Sequence, residues 1–343
     1  MKVLITHELF MPDFAGGGEK QVYEMAHHLQ QRGIKVTVLT TGNPAINQYK
    51  GIPTIRIPLH RYLMFLAAGR IKEVAKDCDL IQTSTYHAAW PTYKAARFLH
   101  KPVVCFVLGA YGSRWLKMRG ILWGSIIRAI EHFILRQPYS KLLFISDYSK
   151  AWAREIGIDT SQAEVISPGV ETGKYYTKKK QPYVLFSGRF AKQKGVYDTL
   201  EVAKSLPRVR FILMGWGEEE KKMKKLATKN VEFSNLRLTD GKPFLDMYAK
   251  ALVFFMPSVA ESFGFTIVEA MASGCAVVST IDLPYKGRQV KSGDILGMAR
   301  AIKDLMKFPA QTEKLGKENI TIAKQYTWKK FTDRLIVTYQ KLV

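Results

Sequence analysis

Residues 257–274 read Pro257-Ser258-Val259-Ala260-Glu261-Ser262-Phe263-Gly264-Phe265-Thr266-Ile267-Val268-Glu269-Ala270-Met271-Ala272-Ser273-Gly274. Ahead of them, Leu252-Val253-Phe254-Phe255-Met256 is an unbroken apolar run, the pattern of a strand buried on both faces of a parallel sheet. Behind the glycine turn, Thr266 to Met271 is helix-like. The stretch therefore reads as strand, turn and helix, with Glu261 in the turn and Glu269 about two turns into the helix.

The same alternation extends outward in both directions. Toward the N-terminus, β-branched runs at Lys2-Thr6, Lys35-Thr40, Leu80-Thr83, Val103-Val107 and Leu142-Ser146 alternate with helical periods, the first over Gly17-Arg32. After Gly173 to Pro182, a polar and basic segment that reads as a linker, a second series opens at Tyr183-Ser187. It continues near Arg210-Met214, Val231-Phe233, Leu252-Met256 and Ala276-Thr280, and amphipathic helices follow from Gly293 onward. Such alternation implies parallel sheets with crossover helices. At roughly 100–200 residues per domain, the chain length suits two of them. The expectation is an α/β protein of two Rossmann-like, doubly wound parallel-sheet domains, 1–172 and 181–326, facing a central cleft. Ligands of such sheets sit beyond the carboxyl ends of the strands, so the candidate residues are sought there.

A carboxylate accepts two hydrogen bonds at once and suits a vicinal diol. Were 261–269 helical throughout, the two glutamates would stand ~12 Å apart, at ~1.5 Å per residue. That spacing fits one carboxylate on a hexose and one on a ribose, with the amides of Phe263, Gly264 and Phe265 on the phosphate between them. Two other readings stay open from these residues alone: a glycosidase pair, which needs ~5–9.5 Å, and an N-capping Glu261 with a solvated Glu269. Ser187-Gly188-Arg189 and Lys194-Gly195 place two cations and a close-approach glycine after a strand, suited to a diphosphate leaving group or simply to a solvated surface. Gly16-Gly17-Gly18 offers unhindered amides at a helix start. It lacks the G-x-G-x-x-G spacing of a dinucleotide site, and a plain tight turn is the alternative.

Taken in order, these motifs resemble one family. Glu261 and Glu269 with Ser262-Phe263-Gly264-Phe265 between them are similar to the E-x7-E motif of retaining GT-B glycosyltransferases of the glycogen-synthase-like group 1 (GT4) family, followed by that family's E-A-M-A-x-G. The Gly-rich loop before Glu19, Val165 to Glu171, Gly188-Arg189, Lys194-Gly195 and Met214-Gly215-Trp216-Gly217 match in sequence order over nearly the whole chain. The resemblance implies a GT-B fold whose last helix, 327–343, crosses back to the first domain. It implies that Arg189 and Lys194 neutralise the donor diphosphate and that Glu261 binds the hexose with Ser262, Phe263, Gly264 and Phe265. Glu269 would hold the ribose, and Gly16, Gly17, Gly188 and Gly215 would approach the donor. Transfer would retain configuration, with a phosphate oxygen taking the acceptor proton and neither a metal nor another cofactor beside the nucleotide-diphosphate sugar.

Two departures stand out. Where the family carries a histidine after the fifth strand, this chain has Val107-Leu108-Gly109-Ala110-Tyr111, which leaves His87 and Tyr111 as acceptor-side candidates. After Thr280 the usual Gly-Gly turn and acidic loop are replaced by the shorter Ile281 to Arg288. A catalytically silent GT-B protein that binds carbohydrate or lipid therefore stays open as the alternative.

Composition sets the remaining bounds. Lys and Arg number 52 against 29 Asp and Glu, a formal charge of +23, which attracts polyanions. No nucleic-acid reading motif accompanies the charge, so no specific nucleic-acid partner is expected. Between Arg114 and Arg136, aromatic and aliphatic residues alternate with cations around Trp115 and Trp123, as in a helix lying on an anionic membrane or as in an ordinary core helix. A glycan or lipid-linked acceptor met at the inner face of the membrane would unite charge and chemistry. Cys78, Cys105 and Cys275 read as buried thiols, and with no secretory signal at Met1-Lys2 the expected location is cytoplasmic. Asp77-Cys78-Asp79 has no companion ligand and reads as a helix end, so no metal is expected.

Overall fold

The computed structural model describes residues 1–13 and 17–343, which divide into two compact units, Met1–Gly169 with Trp328–Val343, and Val170–Thr327. In the first unit, β1 (Lys2–Thr6), β2 (Lys35–Thr41), β3 (Gln48–Tyr49), β4 (Ile52–Ile57), β5 (Leu80–Ser84), β6 (Val103–Val107), β7 (Lys141–Phe144) and β8 (Glu164–Val165) form one sheet. Its order is β3-β4-β2-β1-β5-β6-β7-β8, parallel except at the β3–β4 edge. The central strand β6 is apolar along its whole length, as expected of a parallel sheet covered on both faces, and every one of its residues is buried. The helix Trp328–Gln340 packs here: Trp328 stacks on His28 at 5.2 Å, Phe331 meets Phe106 at 5.7 Å, and the buried Tyr339 hydroxyl donates to Gln82 Oε1.

In the second unit, β9 (Gln181–Ser187), β10 (Arg210–Met214), β11 (Val231–Ser234), β12 (Ala251–Met256), β13 (Ala276–Ser279) and β14 (Gly287–Gln289) form a six-stranded parallel sheet, ordered β11-β10-β9-β12-β13-β14. Its core gathers Phe186, Phe190, Phe211, Phe255 and Ile302. Each sheet reverses its winding once, between β1 and β5 in the first unit and between β9 and β12 in the second. In doubly wound sheets, ligands bind at such a reversal, beyond the carboxyl ends of the strands.

Several elements differ from the sequence reading. The strand expected at Leu142–Ser146 is Lys141–Phe144, because Ser146 leaves the sheet to cap the next helix, its hydroxyl accepting from Ser149 N at 3.2 Å. The basic linker ends early: Gln181 and Pro182 already belong to β9, and Lys180 is sunk against the sheet, donating to the carbonyls of Ser273 at 2.6 Å and Ala249 at 3.0 Å. Burial lowers the pKa of that amine. The shortened route after Thr280 holds β14, whose Gly287 lies so close to Val277 that a Cβ would sit 1.8 Å from its carbonyl oxygen. Of the cysteines, Cys105 and Cys275 are buried and Cys78 is only half-buried; burial pushes the Cys105 thiol up to about 12. Asp79 closes a helix-to-strand turn as an acceptor for Lys2 N at 2.7 Å.

Candidate functional site

At the winding reversal of the second unit, β9 runs out through Gly188-Arg189 into a short 3-10 turn, Lys192–Lys194. Gly195 ends the turn at φ +69°, and a Cβ there would lie 2.1 Å from the Pro257 carbonyl oxygen. Only glycine combines that backbone with that approach. The consequence is that the turn is pressed against the exit of β12, where Val259 N donates to Gln193 O at 2.9 Å. Lys194 Nζ then reaches Glu261 Oε1 at 2.6 Å, and Ser258 Oγ donates to the same oxygen at 2.9 Å. Glu261 is buried and Lys194 only partly so.

Beyond Glu261 the chain turns on Gly264, at φ +88°, into the helix Phe265–Ala272. Phe263 anchors that turn from below, fully buried against the rings of Phe265 and Tyr326 at 5.1 and 5.5 Å. Ser262 is half-buried at the rim. Because the helix starts only at Phe265, Glu269 stands a little over one turn into it rather than about two. Glu269 is half-buried and is not isolated. Its Oε2 accepts from the Tyr248 hydroxyl at 3.2 Å, and the Tyr175 hydroxyl bonds to it as well. Burial first, and the Glu269 charge second, raise both phenol pKa values above their ordinary range.

Arg189 is half-exposed and engaged with Glu218, Nε to Oε2 3.1 Å. Its guanidinium also lies 5.9 Å from the exposed ring of Trp216, which Arg237 approaches from 5.2 Å. Trp216 entered the sequence reading only as the variable residue between two glycines, yet it is an open aromatic surface flanked by cations at the carboxyl end of β10. The glycines beside it have a packing reason: Cβ atoms at Gly215 and Gly217 would come within 1.9 and 2.4 Å of the Gly188 and Phe190 carbonyl oxygens. Gly188 itself has room, with nothing nearer than 3.9 Å.

The first unit carries a second constellation at its own reversal. His7 and Glu8 leave β1, and Ser84 to His87 leave β5. His7 is buried, with Nδ1 hydrogen-bonded to Ser84 Oγ and 3.6 Å from Glu8 Oε2. Gly18 faces its Nε2, at 3.5 Å from the position of a Cβ. Glu8 is also buried; Arg61 Nη2 stands 3.9 Å from Oε1, and no hydrogen bond reaches Oε2 among the described residues. His87 packs edge-on to Tyr62 at 5.2 Å. Burial holds its pKa below the ordinary value, with Glu8 opposing and Arg61 adding to the shift. Gly17 opens the helix Gly17–Gln31 with free space around it, and Gly16 lies outside the described residues.

Tyr111 is held by Glu131, which drew no functional reading from the sequence. Glu131 is fully buried and accepts from Tyr111 N at 2.9 Å, Gly112 N at 2.7 Å and Trp115 Nε1 at 2.9 Å, with the Tyr86 hydroxyl 3.2 Å away. The loop after β6 is thereby clamped to the helix Ile121–Leu135. A charged residue right after a buried strand, as at His7-Glu8, was the available signal for the first constellation. No signal marked Glu131.

Comparison with known proteins bears on these two ends. The model of Glycosyltransferase Family 4 matches residues 15–174, and that of Glycosyl transferases group 1 matches residues 171–321. The chain belongs to the group 1 glycosyltransferases. It is an enzyme of that family, working on nucleotide-sugar donors. The transferase is 29% identical over 326 residues to the lipopolysaccharide core biosynthesis glycosyltransferase LpsE of Rhizobium meliloti (strain 1021), with 88% of each chain covered. Its fold matches sucrose-phosphate synthase from Thermosynechococcus elongatus at a TM-score of 0.83, covering 99% and 98% of the two chains at 18% identity. It matches Anabaena HepE in complex with UDP-glucose at 0.77 over the full length of both chains, also at 18% identity. These likenesses place the transferase in the GT-B fold.

Proposed function

We propose that the transferase moves a hexose from a nucleotide diphosphate to a glycan or lipid-linked acceptor, with retention of configuration and without a metal. The observation that carries this reading is the Lys194–Glu261 pair, 2.6 Å apart at the winding reversal of the second sheet, with Glu269 held on the helix that follows. In this reading Lys194 and Arg189 face the diphosphate, where negative charge grows as the sugar leaves, and their attraction is greatest in the transition state. Glu261 takes hexose hydroxyls, Glu269 takes the ribose diol, and the Ser262–Phe265 turn supports the sugar phosphate. Gly16 and Gly17 approach the donor, and Gly17, at the start of the first helix, has free space for it.

In the first unit, His87 and Tyr111, joined by His7, line the acceptor side. The acceptor hydroxyl loses its proton to a departing phosphate oxygen as the new glycosidic bond forms, so no side-chain base is needed. A lipid-linked acceptor would place the transferase on the inner face of a membrane, a reading in keeping with the lipopolysaccharide-core role in the name of LpsE. A UDP-sugar is the first donor to try, since HepE was solved with UDP-glucose.

A thermal-shift panel of UDP, GDP, ADP and their sugar conjugates, run with and without EDTA, tests the donor side, since a ligand of the folded state raises its stability by mass action. A selective shift that survives EDTA and is lost in Glu269→Ala is the expected result. No shift with any nucleotide would overturn the assignment of the donor site to these residues. Proton NMR of the product's anomeric signal then reports retention or inversion.

A further inference from the structure

The helix Ile121–Leu135 has the composition of a core helix, but only its last turn, at Ile134 and Leu135, is sunk in the core. Ile121, Leu122 and Trp123 are 82%, 71% and 64% exposed, and Ile126, Ile130 and Phe133 continue the same apolar stripe at 43–48%. An ordinary amphipathic helix turns such a stripe inward. Here the inner side is made of something else. Gly124 lets the helix lie directly on Arg114–Arg119, since a Cβ there would fall 2.5 Å from the Trp115 carbonyl oxygen. About two turns further on, the buried Glu131 fastens it to the Tyr111-Gly112 amides and the Trp115 indole. A small residue and a charge hold most of the helix from within, Ile134 and Leu135 anchor its last turn in the core, and the large apolar side chains between Ile121 and Phe133 are left facing outward.

Exposed apolar surface of this extent marks an interaction site rather than a bare monomer face. Charge points to what covers it. From Leu80 to Ser146 the only acidic residue is Glu131, which is internal, whereas Lys117, Arg119, Arg128 and Arg136 are all exposed around the stripe. A second copy in a two-fold pairing would set like charges against each other. An anionic bilayer meets both demands: its interface accepts apolar side chains to a depth of ~5–10 Å and its headgroups attract the cations. Trp123 has the amphipathic ring that suits headgroup level. Among the described residues no helix is long and apolar enough to cross a membrane, so the contact is one of lying on the surface. The stripe also has neighbours to extend it: Phe133 touches Trp90 at 4.8 Å, and the turn at Tyr62, whose residues Phe65 and Leu66 are exposed, reaches His87.

We infer that the helix Ile121–Leu135 is an interfacial helix that docks the first unit on an anionic lipid surface. Through Glu131 the same helix grips the loop at the carboxyl end of β6, so docking presents the Tyr111 loop at membrane level. The inference deepens the lipid-linked acceptor reading and is independent of the donor reading.

Co-sedimentation with vesicles of phosphatidylcholine and phosphatidylglycerol at low salt, against pure phosphatidylcholine, tests it. The wild type is expected to pellet with the anionic vesicles, to be released as salt rises, and to ignore the neutral ones. Trp123→Ala with Ile126→Ala and Ile130→Ala should lower partitioning at least tenfold, and Arg119→Gln with Arg128→Gln should do so at low salt. Both variants should keep the nucleotide thermal shift, which also reports that they fold. The proposal falls if the wild type ignores anionic vesicles, if the triple variant binds them as well as the wild type, or if the wild type is a dimer that the triple variant turns into a monomer. A wild type that binds vesicles but no nucleotide would sink the donor reading and leave this one standing.

Discussion

The two sheets end in opposite electrostatic states. At the carboxyl end of the second, Glu261 is buried with its cation attached, Lys194 at 2.6 Å and Ser258 at 2.9 Å. At the carboxyl end of the first, Glu8 is buried with the Arg61 guanidinium 3.9 Å off, and one of its oxygens has no hydrogen bond among the described residues. A closed pair holds geometry in place before any ligand arrives, whereas an open carboxylate carries an unmet demand that a ligand hydroxyl can fill. The contrast suits a donor site that is preorganised and an acceptor site that is completed by its substrate.

Breaking the closed pair should have the greatest effect. Lys194→Ala is expected to lower kcat by roughly a hundred- to a thousand-fold, equivalent to ~2.7–4 kcal/mol of lost transition-state stabilisation. Steady-state rates beside a urea melt check it, and a loss below tenfold with a large fall in stability would make the pair structural. Glu131→Ala should cost about 3 kcal/mol of stability, because the buried Gly112 amide, the buried Trp115 indole N–H and the part-buried Tyr111 amide lose a charged acceptor together. The urea midpoint measures this, with Glu131→Gln falling in between.

On the donor side, Glu269→Ala should weaken nucleotide binding by about 1.5–3 kcal/mol, the worth of hydrogen bonds to a charged group. Calorimetric titration would show it, and unchanged affinity would remove Glu269 from the site. Glu8→Gln sharpens the comparison from the open side. It should raise the acceptor KM by about 1 kcal/mol, or fivefold, and leave the nucleotide shift alone. An unaltered acceptor KM would make Glu8 merely a buried charge.

The mildest expectation concerns pH. Burial keeps the folded pKa of His87 below its ordinary 6.5, so the unfolded chain binds the proton more readily. The stability tied to neutral His87 is present above pH 6.5 and is lost as pH falls through the folded value. A urea midpoint that declines more gently below pH 6.5 in His87→Asn than in the wild type would confirm the sign.

The second sheet's end was legible because its parts are close in sequence. Glu261, the Gly264 turn and Glu269 lie on one strand-turn-helix passage, and residue type and spacing alone suggest their chemistry. What the spacing missed there is the partner: Lys194 lies 67 residues from Glu261 and pairs with it because Gly195 packs on Pro257. The first sheet's end was largely illegible, since His7 and Ser84 meet across 77 residues with no local pattern to announce it. His87 and Tyr111 were singled out from position after a strand, and the structure adds that Tyr111 is held in place from Glu131. For the apolar segment 121–135, sequence left a membrane-surface helix and a core helix open together, because periodicity gives the width of a stripe and not its direction.

Strand–helix alternation, the doubly wound fold class and the carboxylate-bearing turn of a group 1 transferase follow from the residues alone, because each is written in short-range pattern and residue chemistry. Which charges are closed into pairs, which carboxylate is left open, and whether the apolar face of helix Ile121–Leu135 looks in or out depend on what distant segments bring alongside. Those were settled by tertiary packing, since burial and pairing are properties of a neighbourhood and not of a stretch of chain.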